Sequence, residues 1–294
     1  MNSFIRKILP EKLPDTSAGL KNALREALQS LVLLALWRAR FFEHAAFYGG
    51  TALRVLYNLD RFSEDLDFSL LKPSENFILE NYGNFICNEL KAFGFDVSLH
   101  VKQKKGNTAI ESAFLKTDTY EYLIDIETPR DIIKNIHPQA RLKIKLEVDT
   151  NPPPNFNTEL KYIFTPIQYA VRSYTLPSMF AGKIHAMLYR QWINRVKGRD
   201  WYDFVWFISH APKLNLKHLE ERMKQTGHYT LSQPLTMNVL KEQLLNAFDK
   251  VDISKAREEV TPFVDNPQYL DIWSKEFFQA AVEQIKPADE KRNS

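Results

Sequence analysis

Phe47-Tyr48-Gly49-Gly50-Thr51-Ala52-Leu53-Arg54-Val55-Leu56, followed by Arg61-Phe62-Ser63-Glu64-Asp65-Leu66-Asp67-Phe68, sets the fold of this chain. The apolar run Ala45-Ala46-Phe47-Tyr48 predicts a short buried strand, and Thr51 to Tyr57 predicts the helix it feeds, so Gly49 and Gly50 fall at the strand-to-helix turn. Glycine lets the backbone turn sharply there and lets a ligand come close, while the free N–H groups and dipole of a helix N-terminus attract phosphate oxygens. Thr51 can add a hydroxyl donor. The second element, Asp65 to Leu71, alternates as a half-buried strand does, which puts Asp65 and Asp67 on one face and Leu66 and Phe68 on the other. Adjacent carboxylates repel, and a cation between them explains how both stay ionised. Mg²⁺ suits such a pair, because it takes one or two protein carboxylates together with waters and substrate phosphates. Gly-Gly-Thr alone is an ordinary helix start, and Asp-x-Asp alone an ordinary solvated face. In this order and spacing the two predict a site for a metal-bound nucleotide and point to nucleotidyl transfer.

Composition sets outer limits. With 294 residues, 44% hydrophobic and 26% charged, the chain can build one large or two modest packed domains. The longest apolar run, Leu31-Val-Leu-Leu-Ala-Leu-Trp37, is far shorter than a membrane span, and the N-terminus lacks the apolar core and cleavage site of a signal peptide. The expectation is a cytoplasmic protein with no membrane partner. The single Cys87 excludes an internal disulfide framework and a cysteine-based zinc site, and is expected to pack as a small core residue on a helix. A net charge of +3 is only mildly basic. Three local clusters are more informative: His100 to Lys105, Lys134 to Lys145 and Arg190 to Arg199. Each is a solvated face by default, and together they would track a phosphate backbone if they converged.

Leu20, Leu24, Leu28 and Leu31 recur at helical spacing, predicting a helix over about 17–41 that starts near Thr16 or Ser17. Pro73-Ser74 is expected to open a helix over 75–93, and strands are expected at 95–101, 108–116, 120–126 and 141–149. The order suggests a small mixed sheet backed by helices, ending at Asn151-Pro-Pro-Pro, a stiff connector that cannot continue a ladder. From about 176 the pattern is mainly helical. The tail from about 285 reads as disordered.

A third carboxylate is expected on a neighbouring strand, since two-metal transfer commonly shares a further acid. Alternation in Leu142 to Asp149 places Lys143, Lys145, Glu147 and Asp149 on one face; Glu147 is favoured, Asp149 is second, and Asp125 and Glu127 are weaker alternatives. Met179 to Arg190 predicts a helix with Lys183, Met187 and Arg190 along one side, the lysine among the small residues Ala181, Gly182 and Ala186. Lys197-Gly198-Arg199-Asp200-Trp201-Tyr202-Asp203 predicts a loop turning into a helix, with Asp200 at or near its N-cap and Asp203 one turn on. His185 has no partner at metal spacing and is read as packing.

Taken together, Gly49-Gly50-Thr51, Arg61-Phe62-Ser63-x-Asp65-x-Asp67-Phe68, Lys183 and Lys197-Gly198-Arg199-Asp200-x-Tyr202-Asp203 resemble the AbiEii/AbiGii toxin family of nucleotidyltransferases over roughly residues 20–210. The resemblance implies an α+β (mixed α/β) fold: a polymerase-beta-like minimal nucleotidyltransferase core with an N-terminal helix over 1–150, a mainly helical C-terminal domain over 151–285 that contributes to the site, and a disordered tail over 286–294. It implies Mg²⁺, with Mn²⁺ as a substitute, held by Asp65, Asp67 and Glu147. Gly49, Gly50, Thr51, Ser63, Lys183 and Arg199 would bind the NTP, and Lys183 and Asp200 would complete the triphosphate pocket. It further implies the toxin half of a toxin–antitoxin or abortive-infection pair, transferring a nucleotide from NTP to RNA, with the tRNA 3′ end leading, and blocking translation. A cognate antitoxin need not bind directly; phosphorylation of Ser63, as in some relatives, would place negative charge beside the metal site. Trp192 and Trp201 could stack on a single-stranded 3′ end, although Trp201 also reads as core. A small-molecule or protein acceptor, and a non-catalytic nucleotide-binding module, are the alternatives.

Overall fold

Strand β1 (Ala45–Tyr48) forms from a short, buried apolar run and strand β2 (Asp65–Leu70) from a segment that starts with period-two alternation, and they pair antiparallel with Phe47 opposite Phe68 and Tyr48 opposite Asp67. The computed structural model describes residues 8–10, 16–102, 119–127, 141–165, 167–190 and 196–288. The strand expected at 108–116, Trp192, Arg195 and parts of the first two basic clusters lie outside these residues. Helix α1 (Ser17–Arg38) starts where Thr16 accepts a hydrogen bond from the Gly19 N–H. It ends three residues earlier than expected, because Arg40 takes a left-handed φ of 60° and Phe41–Glu43 tighten into a 3₁₀ turn.

After β1 come α2 (Gly49–Tyr57), β2 and α3 (Glu80–Ala92). Helix α3 begins later than 75 because the preceding segment is held by tertiary contacts: the Ser74 N–H donates to the Thr150 carbonyl, and Phe77 stacks on Tyr82 and meets Phe41 edge-on. Cys87 on α3 is half-buried rather than in the core. Strands β3 (Asp96–Lys102), β4 (Thr119–Glu127) and β5 (Arg141–Asp149) follow the expected order. The proline triplet does not end the sheet. Strands β6 (Thr158–Ile163) and β7 (Tyr169–Tyr174) return to it, giving the seven-stranded order β3-β4-β5-β2-β1-β7-β6, in which β7 runs parallel to β1 with Ser173 opposite Phe47. The prolines stiffen the connection without preventing the strand beyond from closing on the open edge of β1.

The remaining elements are α4 (Leu176–Tyr189), α5 (Gly198–His210), β8 (Lys213–Leu214), α6 (Leu216–Gln225), α7 (Met237–Lys250), α8 (Ile253–Val260), α9 (Lys275–Glu283) and β9 (Lys286–Pro287). Lys286 and Pro287, the first residues of the expected tail, pair with Lys213 and Leu214.

Two compact units are present. One comprises residues 1–52, 64–152 and 159–173, the other residues 53–63, 153–158 and 174–294. The first is built on the sheet, with Phe68 packed against Phe41 at 5.0 Å and Phe47 at 5.3 Å, and with Leu28 and Val32 of α1 fully buried. The second is helical. Its core stacks Phe180 on Phe207 at 4.6 Å and sets Trp201 edge-on to Phe248 and Phe278 at 4.8 and 5.3 Å.

Candidate active site

In the first unit, strand β1 ends at Tyr48 and is followed by Gly49, whose φ of +85° lies in the left-handed region that side chains avoid. A second constraint acts at the same atom. A Cβ on Gly49 would overlap the Asp67 carboxylate oxygen and lie 3.0 Å from its Cγ. The Asp67 side chain therefore sits directly against the first turn of α2, where only a glycine leaves it room. Helix α2 begins at Gly49 itself, so the glycine pair forms its first turn rather than a loop before it.

The strand registers assemble the acids. Asp65 lies opposite Lys145 and Asp67 opposite Glu147 across the parallel β2–β5 ladder. Residues in register share a face, so Asp65, Asp67, Lys145 and Glu147 line one side of the sheet. Burial follows the same alternation: Leu66, Phe68, Ile144, Leu146 and Val148 are buried, while Asp65, Asp67, Lys145, Glu147 and Asp149 are half-buried. The register also separates the candidates for the third acid. Asp149 lies beyond, opposite Ser69, and accepts the Asn151 N–H at 3.0 Å, whereas Glu147 stands beside Asp67 and pairs with Lys145. On β4 it is Glu121 that is in register with Glu147; Asp125 and Glu127 fall further along, opposite Lys143 and Arg141.

Asp65, Asp67 and Glu147 offer only carboxylate oxygens, a donor set that fits a hard divalent cation such as Mg²⁺. Among the described residues no group of three or more His, Cys, Asp or Glu forms a ready-made metal cluster. A cation held by the aspartate pair would complete its shell with water and substrate oxygens. Thr51 is fully buried and its single O–H is donated to the Asp65 carbonyl, so the hydroxyl expected at a phosphate ties α2 to the start of β2.

The second unit contains a buried charge network. Arg61 grips Asp203 with two hydrogen bonds of 2.6 Å, and Lys183 Nζ lies 2.7 Å from Asp200 Oδ1 and 2.6 Å from Asp203 Oδ2. Asp200 and Asp203, three residues apart, share one face of α5, and Lys183 reaches them from α4. Asp200 is not the N-cap: Lys197 holds that position, and the Asp200 carboxylate turns to Lys183. Burial alone would raise both carboxylates, but Lys183 and Lys197 hold Asp200, and Arg61 and Lys183 hold Asp203, below the ordinary range. Burial likewise works against the charges on Arg61 and Lys183, and their carboxylate partners outweigh it and raise both pKa values. The structure thus brings Asp200 together with Lys183. Arg61 was not singled out from the sequence, although it stands in the same motif as Asp65 and the Asp200/Asp203 spacing marks a single helix face.

Arg199 is also engaged. Its Nε lies 3.3 Å from Glu259, its backbone N–H donates to the same carboxylate at 3.0 Å, and its guanidinium lies 4.2 Å over the Phe263 ring. Gly198 permits this arrangement, because a Cβ there would collide with the Ala256 carbonyl of α8. Ser63 is half-buried and follows Phe62, whose N–H donates to the Phe263 carbonyl at 2.8 Å. Trp201 is a core residue at 6% exposure. His185 packs against Tyr189 and hydrogen-bonds Thr226 at 2.9 Å, and burial pushes its pKa down to about 3. A cavity of about 160 Å³ opens beside α5, lined by Met187, Arg190, Val196, Lys197, Asp200 and Trp201 among others. Among the described residues, no helix is long and apolar enough to cross a membrane.

No curated protein matches the chain in sequence. Among solved structures, a protein from H. pylori described as a nucleotidyltransferase is similar, with 18% identity over 89% of this chain and 91% of that one and a TM-score of 0.50. JHP933 from Helicobacter pylori has 18% identity over 92% and 90% of the two chains and a TM-score of 0.51. These likenesses establish the shared nucleotidyltransferase fold. The family model described as nucleotidyl transferase AbiEii toxin, type IV toxin–antitoxin system, matches residues 31–284, spanning both the sheet with its acids and the helices that carry Lys183 and Asp200. The chain thus belongs to the AbiEii family of nucleotidyl transferase toxins.

Proposed function

We propose that this nucleotidyltransferase moves a nucleoside monophosphate from an NTP to RNA, with the 3′ end of tRNA as the leading acceptor, and thereby arrests translation. The observation that carries the reading is the line of Asp65, Asp67 and Glu147 on one sheet face with Asp67 set against Gly49. Asp65 and Asp67 would hold Mg²⁺, or Mn²⁺ in its place, and Glu147 would join them or take the proton of the attacking hydroxyl. When bound, the cation supplies charge neutralisation at the phosphates. Attack on the α-phosphorus forms the new P–O bond and breaks the bond to the β-phosphate oxygen, releasing pyrophosphate.

The protein's own share is positioning and electrostatics. Gly49 and Gly50 open the start of α2 to phosphate oxygens, as helix N-termini do generally. Half-buried strand positions fix the carboxylates on rigid backbone, and Lys145 beside Glu147 limits the accumulation of negative charge there. Toxin-family membership supports an acceptor whose modification stops growth, and a cognate antitoxin is the partner it implies, acting with or without direct contact. Purified protein incubated with Mg²⁺, total bacterial RNA and each α-labelled NTP tests the proposal. Label in a tRNA-sized band with wild type and not with Asp65→Ala/Asp67→Ala is the expected result; label absent from RNA with every NTP, in protein shown to bind NTP, refutes the RNA acceptor.

A further inference from the structure

We propose that strand β6 is a self-association edge: two copies of the chain pair β6 with β6, antiparallel about a two-fold axis at Leu160, and so run their sheets into one. The inference is independent of nucleotidyl transfer, since β7 and β1 stand between β6 and the acid-bearing β2.

Among the described residues, β6 closes one end of the seven-stranded order, with β7 on its inner side. Burial changes abruptly between these two strands. Tyr169, Val171, Ser173 and Tyr174 of β7 are buried, whereas no residue of β6 is. Leu160 is 50% exposed, Tyr162 is 64% exposed, and Phe164 just past the strand reaches 71%, the highest among the described large apolar residues. Leu160 and Tyr162, two residues apart, share one face of the strand. An apolar row therefore stands in water along a sheet edge, and an edge strand turns backbone N–H and C=O groups toward any strand laid beside it. Charges commonly guard such edges; here Lys161 does so, with Glu159 beside it at 3.4 Å.

The way these two charges meet a neighbouring strand selects the occupant. A two-fold axis normal to the sheet keeps each face on its own side, so residues can stand opposite only in registers centred on a residue. Centred on Glu159, the register opposes glutamate to glutamate; centred on Lys161, it opposes lysine to lysine, and like charges directly opposite are unfavourable. Centred on Tyr162, it sets Lys161 against Ile163. Centred on Leu160, it sets Glu159 of each copy against Lys161 of the other, twice over, while Leu160 meets Leu160 with Tyr162 on the diagonal. One face of the junction then carries four charges of alternating sign, because the Glu159–Lys161 pair within each chain continues beside the cross-strand pairs. The other face carries a small apolar cluster. The strand is thus complementary to itself in one register, as an isologous contact requires, and this assigns the edge to a second copy.

Sedimentation velocity of the full-length protein over roughly 1–300 µM, in reducing buffer so that Cys87 cannot cross-link, tests the contact. Wild type should move toward twice the 34.3 kDa chain mass as concentration rises. Its association should be weak, because a contact along one six-residue edge lies at the small end of specific interfaces. Leu160→Lys changes an exposed side chain and places lysine against lysine on the axis; it should weaken association by about tenfold or more. Glu159→Lys and Lys161→Glu should each do the same alone. Mixing these two variants should restore a heterodimer, and Glu159→Lys/Lys161→Glu in one chain should restore the homodimer, since both arrangements again oppose unlike charges. Thermal unfolding identifies any variant that fails to fold, and the charge reversals keep the test decisive if Leu160→Lys is among them. Wild type that stays monomeric throughout, a dimer undiminished by Leu160→Lys in folded protein, or folded charge-reversal variants that do not recover on mixing would each overturn the proposal.

Discussion

Gly49→Ala isolates the junction on which the acidic site depends. The substitution carries two costs. A left-handed φ of +85° disfavours any side chain, by roughly 1–2 kcal/mol. The new methyl would also overlap the Asp67 carboxylate oxygen and sit 3.1 Å from the Asp67 Cβ, so the aspartate must rotate away. That rotation costs little stability because the carboxylate end is flexible, but it removes one of the two acids from its place. The variant should lose about 1–2 kcal/mol, which at roughly 2–4 °C per kcal/mol for a domain of this size lowers the melting temperature by roughly 2–8 °C. Its nucleotidyl transfer should fall almost to the level of Asp67→Ala. Circular dichroism melts and α-labelled NTP incorporation into total RNA measure the two effects, and the double variant Gly49→Ala/Asp67→Ala separates them. In the double variant the overlap with the carboxylate is gone, while the backbone strain and the tight 3.1 Å approach to the Cβ at position 67 persist, so its stability should fall below Asp67→Ala by those two costs, with no further loss of transfer. Gly49→Ala with wild-type transfer and an unchanged melting temperature would refute the reasoning.

Asp203→Asn breaks the doubly hydrogen-bonded grip of Arg61 and leaves buried positive charge uncompensated; a loss of about 3–5 kcal/mol in urea unfolding is expected, and a loss below 1 kcal/mol would contradict a buried network. Gly198→Ala drives a methyl into the Ala256 backbone and should separate α5 from α8, costing about 1–3 kcal/mol or more; an unchanged unfolding midpoint would show that α8 can yield freely. Stability should also fall on acidification. His185 and His218 are pushed down to about 3, chiefly by burial, so the unfolded chain takes up their protons first: the stability they contribute is full above about pH 6.5 and is lost as pH drops toward 3. Urea midpoints that stay flat from pH 7 to pH 4 would sink this assignment. Asp200 and Asp203, with depressed pKa values, extend the loss below about pH 4.

The sequence alone determined the local elements. A short apolar run located β1, and period-two alternation located β2 and β5 and placed Asp65 with Asp67 and Lys145 with Glu147, because a strand's side chains must alternate whatever surrounds them. The glycine pair before a helix and the family resemblance were legible for the same reason: each is written in contiguous residues. Tertiary structure decided everything that depends on which segments become neighbours. It brought β6 and β7 back beyond the prolines to join β1, turned the Thr51 hydroxyl inward to Asp65, and set Glu147 rather than Asp149 beside Asp67. It also joined Arg61 to Asp203 across 142 residues. Charged groups removed from water must find partners, and no pattern within either segment states which distant charge will be there.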